Sequence, residues 1–176
     1  MMNEIIKKNG VSFGIITGVV SALITTAIYS IDLNLFTKWW LGIIIFLFYI
    51  TIGIVLLSKT KKELKGIFSF KEAFTTYFIS AVIGILISVS FNILLFNVID
   101  PSVKDTLNEI TIKYTVETME KFGAPSSAIN EAVKKMQESS PYSTLELIKG
   151  SAFSIAGSAL FGLLLALIFK SKPTQE

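Results

Sequence analysis

The sequence contains no cysteine, no histidine and no arginine, since all 16 of its basic residues are lysines. Without cysteine and histidine it has no thiol nucleophile, disulfide, imidazole base or Cys/His metal site. Without arginine it lacks the bidentate guanidinium that most often recognises phosphate, which argues against nucleic-acid binding. We therefore expect no cofactor, no metal site and no catalytic site, and we expect the protein not to be an enzyme.

Charge is also scarce. Only 16% of the residues are charged, against about 25% in a typical soluble domain. In contrast, 52% are hydrophobic and the mean hydropathy is +0.65. A chain of 176 residues needs less apolar surface than this for a soluble core. The composition predicts one all-α integral membrane domain, residues 1–176, whose apolar surface contacts the lipid bilayer.

Four long uncharged runs account for the apolar excess. They cover about residues 11–31, 39–58, 73–99 and 150–169, and each is close to or above the roughly 20 residues that cross a bilayer. The first run is longer than the apolar core of a signal peptide, about 7–15 residues, so we expect it to remain as a helix. Trp39 and Trp40 open the second run, where interfacial indoles are common. The runs predict four transmembrane helices.

The lysines predict an orientation. Nine of them flank the spans on one side: Lys7, Lys8, Lys59, Lys61, Lys62, Lys65, Lys71, Lys170 and Lys172. In the long loop 100–149, on the other side, acidic residues outnumber lysines. Because lysine-rich segments stay in the cytoplasm, we expect a multi-pass protein of the bacterial cytoplasmic (inner) membrane with both termini cytoplasmic.

The extracytoplasmic loop 100–149 carries two amphipathic patterns. Apolar residues recur at helical spacing in Val103, Leu107, Ile110 and Tyr114, and again in Ile129, Ala132, Val133 and Met136. Gly123 and Pro125 separate the two patterns. A pair of helices this short seldom forms its own core. Its apolar faces must rest on the ends of the spans, on the membrane surface or on a partner.

Small residues repeat every four positions in the first and fourth spans. Such ridges allow close contact between membrane helices. Gly14, Gly18 and Ala22 belong to the first ridge, and Ser154, Ser158 and Gly162 to the second. The ridges predict helix packing within the bundle; the alternative is an interface between copies of the chain in a homo-oligomer.

The third span has a more polar stripe of Ser80, Gly84, Ser88 and Asn92, with Asn97 further along. Polar side chains in a bilayer usually hydrogen-bond to a neighbouring helix. The alternative is the lining of a substrate path. The hypothesis of transport is weakened, however, because the spans contain no Asp, Glu, Lys or Arg of the kind that marks proton relays and ion-coupled transporters.

Two acidic residues flank the third span. Ser69 and Glu72 have the S-x-x-E spacing of a capping box, which would start the helix. Asp100 precedes Pro101 at the end of the helix, where the macrodipole disfavours an anion. We expect Asp100 to be paired with Lys104 or Lys149, or to be solvated. Glu72, Ser88, Asn92, Asn97 and Asp100 are the candidates for a functional role.

Several segments together resemble a known family. These are Gly66-x-Phe-Ser-Phe-Lys-Glu-Ala-Phe74, the Phe91-Asn92 pair with Ile99-Asp100-Pro101, the stretch from Met119 to Ala132, and the last small-residue span. The chain resembles an uncharacterised bacterial four-helix integral-membrane family known as domain of unknown function 4199. The resemblance implies an inner-membrane location and four spans, and it supplies no activity or ligand.

Three functional hypotheses remain at this point. The first is a non-enzymatic accessory or scaffold subunit that binds a membrane or envelope protein through its extracytoplasmic helices. The second is a small oligomeric transporter or channel that uses the stripe from Ser80 to Asn92. The third and weakest is an enzyme, a metal-dependent hydrolase on the acidic residues of the loop.

Overall fold

The computed structural model describes residues 3–171, which are almost entirely helical and contain no β-strand. The helices are α1 (Glu4–Ile31), α2 (Trp39–Glu63), α3 (Phe70–Leu94), α4 (Pro101–Lys121), α5 (Ser126–Glu138) and α6 (Thr144–Phe169). A 3₁₀ helix (Leu33–Thr37) joins α1 to α2, and a π-helical turn (Leu95–Ile99) extends α3. Lys172, which contributed to the predicted orientation, lies outside the described residues.

Four of the helices are long and apolar enough to cross a membrane: α1, α2, α3 with its π turn, and α6. The predicted all-α class and the four spans are thereby confirmed. The helices are longer than the uncharged runs, since α1 begins at Glu4, α2 continues to Glu63 and α6 begins at Thr144. Charged residues at these ends can remain in helix because a helix continues beyond the hydrocarbon into the interface.

Helix α3 is the centre of the bundle and contacts α1, α2 and α6. Its longest contact is with α1, where Gly10, Gly14 and Gly18 lie against Ile79, Ile83 and Ile87 respectively. The constant offset along both helices shows that α1 and α3 run parallel. A Cβ added to these glycines would lie only 2.9, 2.7 and 2.5 Å from the isoleucine side chains. The glycine ridge of α1 therefore lies in a contact within one chain.

The starts of α1 and α3 and the ends of α2 and α6 form one end of the bundle, which we call the closed end. Its core is a buried cluster of Leu57, Phe68, Ala73, Leu165 and Ala166. The segment after α6 is attached there as well, because the Ser171 amide donates to the Phe68 carbonyl at 2.7 Å. Apolar side chains thus form the core of this end of the bundle.

The opposite end, which we call the loop end, carries α4 and α5. Val103 and Leu107, in the first turns of α4, are buried against Leu95 and Phe96 at the end of α3. Helix α5 packs on α4, and the Asn108 side chain donates to the Met136 carbonyl at 3.2 Å. No residue of α5 is fully buried. The apolar faces of the pair therefore rest on the span ends and on each other.

Local sequence signals explain where these helices begin and end. Both hydrogen bonds of the predicted Ser69–Glu72 capping box are present at the start of α3. Asp100 leaves the helix before Pro101, which then begins α4 at a position that proline favours. Gly123 ends α4 with φ +73°, and its amide and that of Ala124 bond to the last turn as in a Schellman motif.

Candidate functional site

A cavity of about 680 Å³ lies between α2, α3 and α6. Thr17 and Ser21 of α1 also reach it. The candidate spans contribute most of its walls, so the cavity lies largely at the depth of the bilayer. Its position follows from the packing of α2, whose buried residues, Gly53, Leu56, Leu57 and Thr60, are all in its second half.

Tyr77 of α3 forms the floor of the cavity. Its ring lies between two glycines, because a Cβ added to Gly162 would be 2.6 Å from its Cδ1 and one added to Gly53 would be 3.0 Å from its Cε2. The Phe161 ring lies beside it, with 6.3 Å between centroids. Leu165, in the closed-end cluster, also lies near Gly53. The cavity therefore ends at Tyr77 and does not continue through the closed end.

The polar stripe of α3 faces this cavity. Ser80, Gly84, Ser88 and Asn92 all line it. The Ser88 hydroxyl is 2.8 Å from the Ser21 hydroxyl of α1, which gives each a hydrogen-bond partner. Asn92 differs, because its Oδ1 is buried and has no hydrogen-bond partner among residues 3–171. The stripe thus combines a contact to a neighbouring helix with a polar cavity wall.

The small-residue ridge of α6 has two different surroundings. Gly162 is buried against Tyr77. Ser154 and Ser158 instead line the cavity, and the Ser158 hydroxyl donates to the carbonyl of Ile155 in its own helix. Ala22, expected to continue the ridge of α1, is half-buried above the glycine contacts. The four-residue spacing marks a close helix contact only in the half of α6 near the closed end.

A second cavity of about 440 Å³ lies on the other side of Asn92, between α1, α2 and the 3₁₀ helix. It shares Ser21, Tyr49, Ser88 and Asn92 with the first cavity. Thr111 and Tyr114 of α4 and Lys38 before α2 also line it. Asn92 and Ser88 therefore lie at the boundary between two spaces, and the middle of α4 helps to cover the second.

The remaining candidate residues have structural partners away from the main cavity. The Glu72 carboxylate accepts from the Ser69 amide at 2.9 Å. The Asn97 side chain donates to the Tyr142 carbonyl at 3.1 Å and so joins the end of α3 to the turn before α6. Neither residue lines the main cavity.

Asp100 is paired with hydroxyls, and neither Lys104 nor Lys149 is its partner. Its carboxylate accepts from Ser102 at 2.5 Å and from Tyr29 at 3.0 Å. These two hydrogen bonds, that from Ser102 first, lower the pKa of Asp100 below its usual value. Because α4 begins at Pro101, Asp100 also lies at a helix N-terminus, where the dipole favours an anion. The favourable dipole of α4 thus offsets the unfavourable dipole of α3 at Asp100.

Sequence reasoning missed a polar cluster at the closed end. The Asn9 side chain is 2% exposed and donates to the Thr60 hydroxyl at 3.2 Å and to the Glu63 carboxylate at 2.8 Å. The cluster joins α1 to α2. Its one signal in the sequence is an amide two residues before the first uncharged run, which by itself suggests only the polar end of a helix.

The side chains at the cavity wall include groups that can bind a molecule. Residues 3–171 contain no group of three or more His, Cys, Asp or Glu arranged to hold a metal ion. The cavity wall offers hydroxyls, one carboxamide and apolar side chains, with Glu146 the one acidic residue at its edge. Such a wall can hold a molecule by hydrogen bonds and van der Waals contact.

These features define a multi-pass helical membrane protein whose four-span bundle is packed at one end and encloses a cavity toward the other. The class is matched by a known family. The chain belongs to the family described as Protein of unknown function (DUF4199), whose sequence model covers residues 12–171. No curated protein and no solved structure matches the chain.

Proposed function

We propose that the protein is a non-enzymatic accessory or scaffold subunit of the bacterial cytoplasmic membrane and that it binds its partner through α4 and α5. In this proposal both termini are cytoplasmic and the α4–α5 pair is extracytoplasmic. The partner is another membrane or envelope protein.

The charge distribution supports this orientation. Lys7, Lys8 and Lys71 lie near the starts of α1 and α3, and Lys61 and Lys170 lie at the ends of α2 and α6, all at the closed end. The positive-inside rule assigns such an end to the cytoplasm. Alkaline phosphatase should be active when inserted at the α4–α5 turn and inactive at the C-terminus. A C-terminal fusion that is active outside the cytoplasm would overturn the topology.

The observation that carries the proposal is Phe122, which is 83% exposed at the turn between α4 and α5. The apolar side of α5 is half-buried on α4, and its outer side carries the exposed ion pairs Lys134–Glu138 and Lys135–Glu131. Phe122 is left uncovered at the tip of an otherwise polar hairpin. Large aromatic side chains are frequent anchors of protein interfaces. A partner that covers Phe122 would bury it without any change in the bundle.

Affinity purification of the whole chain in a mild detergent tests this role. Phe122→Ser should lose a protein that co-purifies reproducibly with the wild type. Ile67→Ser is the matched control, because Ile67 is a similarly exposed apolar residue, 78% exposed, at the closed end. The proposal fails if the wild type is a monomer without a reproducible partner, or if Phe122→Ser and Ile67→Ser lose the partner equally.

A second candidate function is a small oligomeric transporter or channel. The observation that favours it is the polar stripe, because Ser80, Ser88 and Asn92 line the 680 Å³ cavity. Tyr77 and the closed-end cluster block this path at one end, so passage would require their rearrangement. Flux of a small neutral solute into liposomes should then be lost in the double variant Ser88→Leu, Asn92→Leu. Flux that survives both substitutions would discard this path.

A further inference from the structure

The shape of the main cavity suits a small molecule. Its volume of about 680 Å³ falls within the range of about 300–1,000 Å³ that is typical of ligand sites. It extends from Tyr77 near the closed end to Pro141 and Leu147 near the loop end. A molecule bound in it would lie lengthwise between the spans.

The cavity is accessible from the bilayer between α2 and α6. These helices approach each other at Phe46 and Phe161, whose ring centroids are 5.9 Å apart, and nearer the closed end at Gly53 and Leu165. On the first half of α6 the surroundings are open, since a Cβ added to Gly150 or Gly157 would meet no other described residue within 4 Å. Hydrocarbon can therefore enter from the side.

The lining excludes a charged head group. Among the described residues that form the wall there is no lysine, and the one acidic side chain is Glu146. Glu146 is paired with Lys149 at 2.7 Å, so the edge of the cavity carries no net charge. A phosphate inside the cavity would find no cation to balance it, whereas a neutral polar group would find hydroxyls and the Asn92 carboxamide.

Asn92 specifies what that neutral group must provide. Its Oδ1 is a buried acceptor without a partner in residues 3–171. The Ser21 and Ser88 hydroxyls bond to each other, and neither donates to Asn92 Oδ1. Since a buried acceptor without a donor costs free energy, a bound molecule that supplies an O–H or N–H would be favoured at this position.

We propose that this cavity binds a neutral lipid with a free hydroxyl, of the diacylglycerol type. An acyl chain lies between α2 and α6 against Ile85, Val89 and Leu147, and the Asn92 side chain turns its buried Oδ1 toward the cavity to accept from the hydroxyl. The inference is independent of the accessory role proposed above, which concerns Phe122 at the α4–α5 turn and not the cavity between the spans.

Photo-cross-linking tests the site. The full chain is reconstituted in phosphatidylcholine liposomes with a trace of diacylglycerol that carries a diazirine in one acyl chain, and the labelled peptides are mapped by mass spectrometry. Label should concentrate on the cavity-lining parts of α3 and α6. Gly157→Phe, which fills the open space beside α6, should reduce the labelling about tenfold. Asn92→Leu should reduce it about fivefold, as expected for the loss of one hydrogen bond.

Ala156→Phe is the matched control, because Ala156 is the exposed neighbour of Gly157 and is absent from the cavity wall. It should label like the wild type. The proposal is overturned by label spread evenly over the lipid-facing surface, by equal losses in both phenylalanine variants, or by equal labelling with a phosphatidylglycerol probe of the same chain. If Gly157→Phe does not fold, Asn92→Leu and the comparison of the two probes decide the matter.

Discussion

The two ends of the bundle use the same small and polar residue types in different ways. At the closed end, Gly162 meets the ring of Tyr77 and Asn9 is hydrogen-bonded to Thr60 and Glu63. Toward the loop end, Gly157 meets open space and Asn92 Oδ1 has no partner within the described residues. At the closed end, glycine and asparagine stabilise the bundle through contacts. Toward the loop end, the glycine borders open space and the asparagine has an unsatisfied acceptor. The difference suggests that the closed end is structural and the cavity is available for binding.

The largest expected effect comes from adding bulk to the tight glycine contacts. Gly18→Leu combined with Gly162→Leu would bring side chains within 2.5 and 2.6 Å of Ile87 and Tyr77. Overpacking of this kind costs about 1–3 kcal/mol or more at each site, so we expect the double variant to fail to fold. Size-exclusion chromatography of the detergent-solubilised protein measures the loss of the folded monodisperse species.

The control for this experiment is Gly150→Leu combined with Gly157→Leu. Gly150 belongs to the four-residue pattern of α6, and Gly157 lies next to it. At either position an added Cβ would meet no described atom within 4 Å. This variant should elute and unfold like the wild type. Equal stability of the Gly18/Gly162 variant and the wild type would dismiss the packing role of both ridges.

A smaller effect is expected from the two asparagines. Asn9→Leu removes two hydrogen bonds, one of them to a carboxylate, and leaves Thr60 and Glu63 without that donor. Hydrogen bonds of this type contribute about 1.5–3 kcal/mol, so the thermal midpoint should fall by several degrees. Asn92→Leu removes no hydrogen bond of the buried Oδ1 and should leave the midpoint unchanged or raise it.

Thermal unfolding followed by circular dichroism in one detergent compares these variants directly. The contrast between the two ends predicts a large difference between them. If Asn92→Leu destabilised the protein as much as Asn9→Leu, Asn92 would have a structural partner, and the cavity would be part of the packed core.

Local signals in the sequence predicted much of the fold, because each depends on neighbouring residues. The uncharged runs predicted the four spans, the Ser69–Glu72 spacing predicted the start of α3, and Pro101 predicted its end. The position of Tyr77 between Gly53 and Gly162 could not be predicted, since it joins three helices that are distant in the chain. The spacing in α6 identified a face but could not say that Ser154 meets a cavity and Gly162 a ring.

The cavity itself was predictable only in part. The stripe from Ser80 to Asn92 identified one polar wall, and a substrate path was among its expected roles. The open space depends on how far α2 and α6 separate, which the hydropathy of either helix does not determine. Likewise, Asp100 could be identified as unusual at the end of α3, but its partner Tyr29 comes from α1.

The smallest expected effect concerns Asp100 at the loop end, whose contribution to stability depends on pH. Hydrogen bonds from Ser102 and Tyr29 lower the pKa of Asp100, so the folded state binds a proton less readily than the unfolded chain does. The resulting stability is present above the ordinary aspartate pKa of about 3.9 and is lost as the pH falls through the lower folded value. Tyr29→Phe should therefore lower the thermal midpoint slightly at neutral pH and also reduce its fall in acid. Midpoints of the wild type and of Tyr29→Phe measured from neutral pH down to about pH 3 test this.

Ser102→Ala should reduce the acid dependence further, because its hydrogen bond is the larger cause of the lowered pKa. An acid dependence that is the same in all three proteins would mean that the carboxylate is not held by these hydroxyls. The loop end would then be joined to α1 by apolar contacts alone. At the closed end, in contrast, Asn9 of α1 is hydrogen-bonded to Thr60 and Glu63 of α2.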